Sequence, residues 1–311
     1  MILSDTSKGI LLTVVAGTLW GLISIFVRSL VAAGMSSLDI TAMRSIFAGL
    51  VLLASVPFIE RGALKVKPAD LWCMAGCGVV SICLFNLCYF AAIQLTTVNI
   101  SVVLLYTSPI FITLLSCIFF GEKFTRWKLL SLIMVTIGCV LVSGVISDSE
   151  ELRLTPLGLL LGLGSGLFYG LYSIFGRFAQ QRGYSSCAIT LWSFIFAGAA
   201  SLLLMNFGRV AHALSTPQAW LSLAGLVVFS TILPYCAYTA GLRLLPPSVA
   251  AITVAVEPIV GTIVGTLFFR EPLTIAALFG MLLILAAMPI SRKAPSAKSE
   301  DTEKKTNVII Q

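Results

Sequence analysis

Charge is what this chain has least of. Only 11% of its 311 residues are Asp, Glu, Lys or Arg, against about 25% in soluble domains. From Leu71 to Gly121 there is no charged side chain at all. So little polar surface cannot cover a soluble core of this size. Histidine is nearly absent too. His212 stands alone in a loop and offers neither a metal set nor a catalytic pair. The eight cysteines are scattered over the apolar runs. Cys73, Cys77, Cys83 and Cys88 lie close together but lack the paired spacing of a thiolate metal site. They read as small apolar packing residues, and no cysteine pair in the polar segments suggests a disulfide. Without a nucleophile, a metal cluster or a paired acid and base, no enzyme, metal or cofactor is expected.

What is present is apolar. Hydrophobic residues make up 58% of the chain, and mean hydropathy is +1.03. A helix needs about 20 apolar residues to cross a bilayer. That test gives spans near 9–27, 38–59, 71–93, 98–120, 127–146, 156–176, 186–207, 218–241, 248–269 and 273–290. An N-terminal signal peptide competes for the first of these, since Lys8, an apolar run and Val31-Ala-Ala33 loosely fit one. The internal copy of that span at 156–176 argues for a true span. The tail after Arg292 is polar and charged, and is expected to be disordered.

The chain matches itself at an offset of 149 residues. Trp20-Gly21 returns as Tyr169-Gly170, Ser24-Ile-Phe26 as Ser173-Ile-Phe175, and Phe47-Ala-Gly49 as Phe196-Ala-Gly198. Pro109 maps to Pro258, and Glu122 to Glu271. Two units follow, 1–146 and 147–291, with residues 292–311 as a cytoplasmic tail. Five spans per unit is an odd number, so the second unit is expected upside down relative to the first. The expected fold is an all-α integral membrane protein with ten transmembrane helices in two inverted five-helix repeats. Positive charge agrees. Of the 20 Lys and Arg residues, only Arg28, Arg153, Arg209 and Arg270 fall on the side opposite the N-terminus, and Arg44 falls within a span. Basic loops stay in the cytoplasm, so both termini are expected there. The basic residues serve orientation, and nucleic acid is not an expected partner.

Small residues recur every four positions in the first helix of each unit: Gly9, Thr13, Gly17 and Gly21, then Gly158, Gly162, Gly166 and Gly170. Such a stripe lets helix backbones approach closely. Trp20 and Tyr169 sit beside the stripes, deep in their spans, and are expected to wall a cavity. Pro109 and Pro258 fall at mid-span. Each removes a backbone donor and strands the carbonyl four residues earlier, at Leu105 and Val254. Interrupted helices at matching positions point to a transport site; a plain kink is the competing reading.

Glu257 precedes Pro258. A mid-membrane carboxylate costs several kcal/mol unless hydrated, paired or protonated. It is a proton carrier, an anchor for a substrate amine, or a brace for the kink. Arg44 is the basic residue within a span. It snorkels outward, or pairs with Asp39 or a substrate carboxylate. Asn86 and Tyr235 form another matched pair, as do Tyr89 and Tyr238. Tyr106 shares a helix face with Asn99. Together they offer aromatic walls with a few hydrogen-bonding groups, the makeup of a small-molecule pocket.

Over about residues 8 to 291 the sequence resembles the drug/metabolite transporter superfamily, specifically its EamA-type family. The resemblance rests on the repeated five-span plan, Trp20-Gly21, Tyr169-Gly170, Arg44, Pro109, Glu257-Pro258 and the loop glutamates Glu122 and Glu271. Arg270 departs from it, standing where a glycine is common. The resemblance implies a multi-pass exporter of small polar metabolites, such as amino acids, with a central cavity that alternates between the two sides. It implies that Glu122 and Glu271 open the last helix of each unit, where they would favour the helix dipole. The expected location is the plasma (inner) membrane. Expected partners are the bilayer and a small solute, with the proton as a candidate coupling ion and a second copy as a candidate dimer partner. Broad efflux of cationic drugs is the alternative within transport. A membrane enzyme or scaffold is the alternative outside it.

Overall fold

Helices with polar caps are what this composition favours once lipid replaces water. Every backbone group must then be satisfied within its own segment. The computed structural model describes residues 4–145 and 154–292, and within them it contains helices and no strands. Eight segments are long and apolar enough to cross a membrane: α1 Asp5–Ala32, α2 Ser37–Val56, α3 Pro68–Leu95 and α4 Val98–Phe120, then α6 Pro156–Gln181, α7 Ser186–Leu204, α8 Pro217–Leu244 and α9 Pro247–Phe269. Two shorter helices close the two halves, α5 Arg126–Val142 and α10 Ile275–Ser291. The linker around residue 146 and the tail from 293 lie outside the described residues.

Starts are written in short polar residues. Ser36 and Asp39 form a reciprocal capping box at α2, and Thr97, Thr125, Thr155, Ser185, Thr216 and Thr274 each accept a backbone N–H at their helix start. Such caps are worth about 1 kcal/mol apiece. Pro156 and Pro217 sit at the first helical position, where their missing donor costs nothing. α1 runs longer than its uncharged stretch, because Asp5, Lys8 and Arg28 lie near its ends and are exposed.

α4 ends on Gly121 at φ 64°, and α9 ends on Arg270 at φ 58°. These positions correspond across the repeat, and both close the helix through a bond to the carbonyl at Ser116 or Gly265. The departure seen in sequence at Arg270 is therefore a side chain in the left-handed conformation that glycine adopts freely.

The two halves interlock. α1 packs on α8 and α9, and α6 packs on α3 and α4; α2 lies against α7 and α5 against α10. α2 and α7 run in opposite directions. Asp39 at the start of α2 accepts from the backbone of Asn206, just after α7, and Gly49 further along abuts the Phe194 backbone. Gly198 abuts Ile46 in return. Ion pairs tie the two halves nearby. Arg209 meets the buried carboxylate of Asp39, and Arg182 meets Asp70 at 3.0 Å.

The glycine stripes seat against broken helices. A Cβ on Gly17 would lie 2.7 Å from the Val254 carbonyl, and one on Gly166 2.8 Å from that of Leu104 and 3.1 Å from that of Leu105. Gly17→Val should therefore lower stability by about 1–3 kcal/mol, the usual overpacking cost. Arg270→Gly should raise it by about 1 kcal/mol by relieving the left-handed residue. Thermal unfolding of the purified variants in detergent measures both shifts, which should have opposite signs.

Candidate functional site

The site begins with two interrupted helices. α4 consists of Val98–Leu105 and Ser108–Phe120, and α9 of Pro247–Val254 and Val256–Phe269. Pro109 and Pro258 sit just beyond the breaks. The carbonyls of Leu105 and Val254 thereby lose their usual donors. Glu257 is in the first turn of the second piece of α9, so the break sets its carboxylate at the head of a fresh helix. The Tyr169 hydroxyl donates to Glu257 Oε2 at 3.3 Å.

Around it lies a cavity of about 440 Å³, within the range of small-molecule sites. Its walls include Trp20, Asn86, Tyr89, Tyr106, Tyr169 and Tyr235, with Arg44 and Glu257 both facing in. Trp20 packs edge-on against Tyr235 at 5.0 Å and against Tyr169 at 6.5 Å. Edge-to-face rings hold such walls rigid. Asn86 is fixed by donating to the Ile82 carbonyl at 2.7 Å and accepting from Thr41 at 3.3 Å.

Arg44 is buried, with Nε lacking a partner. It lines the same cavity as Tyr235 and Glu257. Asp39, the sequence alternative, is instead held by Arg209, Ser36 and Asn206. Tyr238 is the candidate that falls outside this cavity. It lies behind Trp20 and Tyr235 in a second, nearly closed space of about 10 Å³. A third cavity, about 570 Å³, adjoins the first at Val102 and Tyr106 and is lined by Asn99, Pro258, Thr262 and Glu271 among others.

Sequence reasoning missed Ser24, Thr41 and Phe85, which also line the central cavity. Ser24 was legible as the repeat partner of Ser173, and Thr41 lies three residues before Arg44 on the same helix face. The loop glutamates act differently from the helix-dipole expectation. The last helices begin on Thr125 and Thr274. Glu122 instead bonds Lys128 at 2.6 Å and accepts from Ser248, while Glu271 pairs with Arg28. Among the described residues no group of three or more His, Cys, Asp or Glu gathers as a metal site.

A multi-pass helical membrane protein with an internal, largely aromatic and aliphatic cavity that carries Arg44, Asn86 and Glu257 is, by this geometry, a candidate conduit for a solute. Comparison makes the class definite. The EamA-like transporter family matches residues 7–144 and again 156–291, and the chain belongs to that family. An uncharacterized transporter of Archaeoglobus fulgidus is 30% identical, over 89% of this chain and 94% of its own. The uncharacterized inner membrane transporter YicL of Salmonella typhimurium is 24% identical, over 92% and 95%. A crystal structure with 18% sequence identity superposes with a TM-score of 0.75, covering 93% of this chain and 99% of that one, a likeness of fold alone. The protein is thus a membrane transporter, and its relatives are named transporters, not enzymes.

If the central space is an aqueous cavity, Tyr106→Cys should react with a small water-soluble thiol reagent in nanodiscs. Leu114→Cys, 48% exposed on the outer surface of α4, should react about tenfold more slowly, because the reactive thiolate needs water. Peptide mass spectrometry at each position reads the two rates.

Proposed function

We propose that this transporter is a secondary exporter of small polar metabolites, amino acids or related solutes, working by alternating access and driven by proton exchange. The observation that carries this reading is the joint presentation of Glu257 and Arg44 to one cavity of about 440 Å³. A carboxylate and a guanidinium lining one cavity match a solute that carries both an ammonium and a carboxylate. Arg binds carboxylates through paired donors, and its Nε has no partner here. The rings of Trp20, Tyr89, Tyr106, Tyr169 and Tyr235 enclose the remainder of the solute, and Tyr238 buttresses Trp20 at 5.5 Å. Pro109 and Pro258 are the kinks at which the two halves rock. Cationic drug efflux is the second reading. It is favoured by the same Glu257 and aromatic wall, but leaves Arg44 without a role.

The architecture we propose is ten transmembrane helices in two inverted five-helix units, 1–146 and 147–291, with both termini and the tail 292–311 in the cytoplasm. The opposed directions of the matched helices α2 and α7 support it, as does the distribution of basic residues. The plasma (inner) membrane is the location that fits, in keeping with the name of the Salmonella relative. Cysteine tags in loops 60–70 and 208–219 should label from opposite faces of sealed vesicles; labelling from one face would remove the inverted arrangement.

Glu257→Gln keeps the shape and removes titration. For a proton carrier, proteoliposomes should lose pH-driven transport while still binding solute. For an amine anchor, binding itself should fall by about tenfold or more, the worth of a buried charged hydrogen bond. A screen of amino acids and organic cations, with and without a pH gradient, decides between them. Normal transport by the Gln variant across the pH range would reduce Glu257 to a brace and sink the reading.

A further inference from the structure

Residues that correspond across the repeat occupy unlike environments at the two ends of the molecule. At one end the space is shut. Ser173 Oγ and the Tyr238 hydroxyl are hydrogen-bonded at 2.7 Å, and the space beside them is about 10 Å³. Their counterparts, Ser24 and Tyr89, line the cavity of about 440 Å³, and Ser24 Oγ has no partner. Thr113 and Thr262 make the same local bond, to the carbonyls of Pro109 and Pro258 at 2.8 and 2.9 Å. Thr113 is fully buried, whereas Thr262 lines the open cavity of about 570 Å³.

The loop glutamates follow the same division. Glu122 is enclosed with Lys128, their side chains 9% and 5% exposed, and Ser248 bridges to Glu122 from the start of α9. The Arg177 guanidinium acts on Glu122 electrostatically and donates to the Leu242 carbonyl of α8 at 3.0 Å. Four elements from both halves are thus tied at one point. The corresponding residues at the other end are Glu271, Ala277, Asn99 and Arg28. The first three line the open cavity. The Arg28–Glu271 pair is half exposed. Lysine at 128 against alanine at 277 makes the two ends chemically unequal.

Resting on the transport reading above, we propose that Glu122, Lys128 and Ser248, with the Ser173–Tyr238 bond, form the closed gate of the transport path, and that Ser24, Tyr89, Asn99 and Glu271 are its repeat-related partner gate held open. In the other state the bonds exchange: Ser24 closes on Tyr89, Glu271 is enclosed beside Asn99 and Arg28, and the Lys128 latch parts. Because only one end carries the lysine, the state closed at Glu122 is the resting one. An isolated buried charge is costly once its partner leaves, so latch opening exposes Glu122 and Lys128 together to water.

The test uses the full chain in nanodiscs, where reagents reach both faces. Thr262→Cys and Thr113→Cys serve separately as reporters, with modification by a water-soluble methanethiosulfonate read at each site by mass spectrometry. Thr262→Cys should react faster than Thr113→Cys. Adding Lys128→Met should speed reaction at 113 and slow it at 262, each by about threefold to tenfold, the shift expected from one or two net hydrogen bonds. Tyr238→Phe, which removes a single hydroxyl, should act in the same direction and carries the test where Lys128→Met fails to fold. Two unchanged rates, or acceleration at both sites as from general loosening, would overturn the gate. A chain that transports solute with fixed reporters sinks the gate alone. Opposite reporter shifts with no solute moved leave the gate standing and sink the transport reading.

Discussion

The structure depends on backbone meeting backbone where two helices are broken. Prolines at 109 and 258 deprive the carbonyls before them of donors, and in lipid such groups need protein around them. Gly17 and Gly166 answer this by bringing α1 and α6 against those breaks. Each glycine belongs to one half and each break to the other, so the contact also joins the halves. Gly21 extends the first seam, lying against the Glu257 carbonyl and Val260. A carboxylate in mid-membrane is tolerable here because its helix restarts beside it and Tyr169 reaches it from α6.

From this seam the cavity follows. Residues next to the glycines, Trp20 on α1 and Tyr169 on α6, are carried to the same place by the repeated crossing, and both contact the central space. Tyr235 and Tyr238 on α8 complete an aromatic cluster with Tyr172. The outer surfaces are apolar and exposed, as at Phe279 and Leu282 on α10, each 61% exposed. That suits a solvent of lipid. Polar groups gather inside or at the ends, where ion pairs such as Arg209–Asp39 and Arg182–Asp70 link helix ends of the two halves.

Much of this was legible in sequence because lipid leaves few choices. Absence of charge over long runs forces helices. Caps and prolines bound them, and the 149-residue offset pairs them. The same offset picked out Trp20 with Tyr169, Asn86 with Tyr235 and Tyr89 with Tyr238. What the repeat could not give is asymmetry. It treats Tyr89 and Tyr238 alike, yet one lines the cavity and the other lies in the closed space. Nor could it give Ser248 as a partner of Glu122, because the two stand 126 residues apart and meet only through packing of both halves.

The sequence by itself determined the solvent, the helical elements and their pairing across the repeat, since each depends on local composition and spacing. Tertiary structure alone decided which side chains share the central cavity, that Arg44 is among them while Asp39 goes to Arg209, and that the space beside Tyr238 is only about 10 Å³. Those outcomes depend on contacts between residues far apart in sequence, such as Asp39 with Arg209 and Glu122 with Ser248, which no local pattern of composition or spacing encodes.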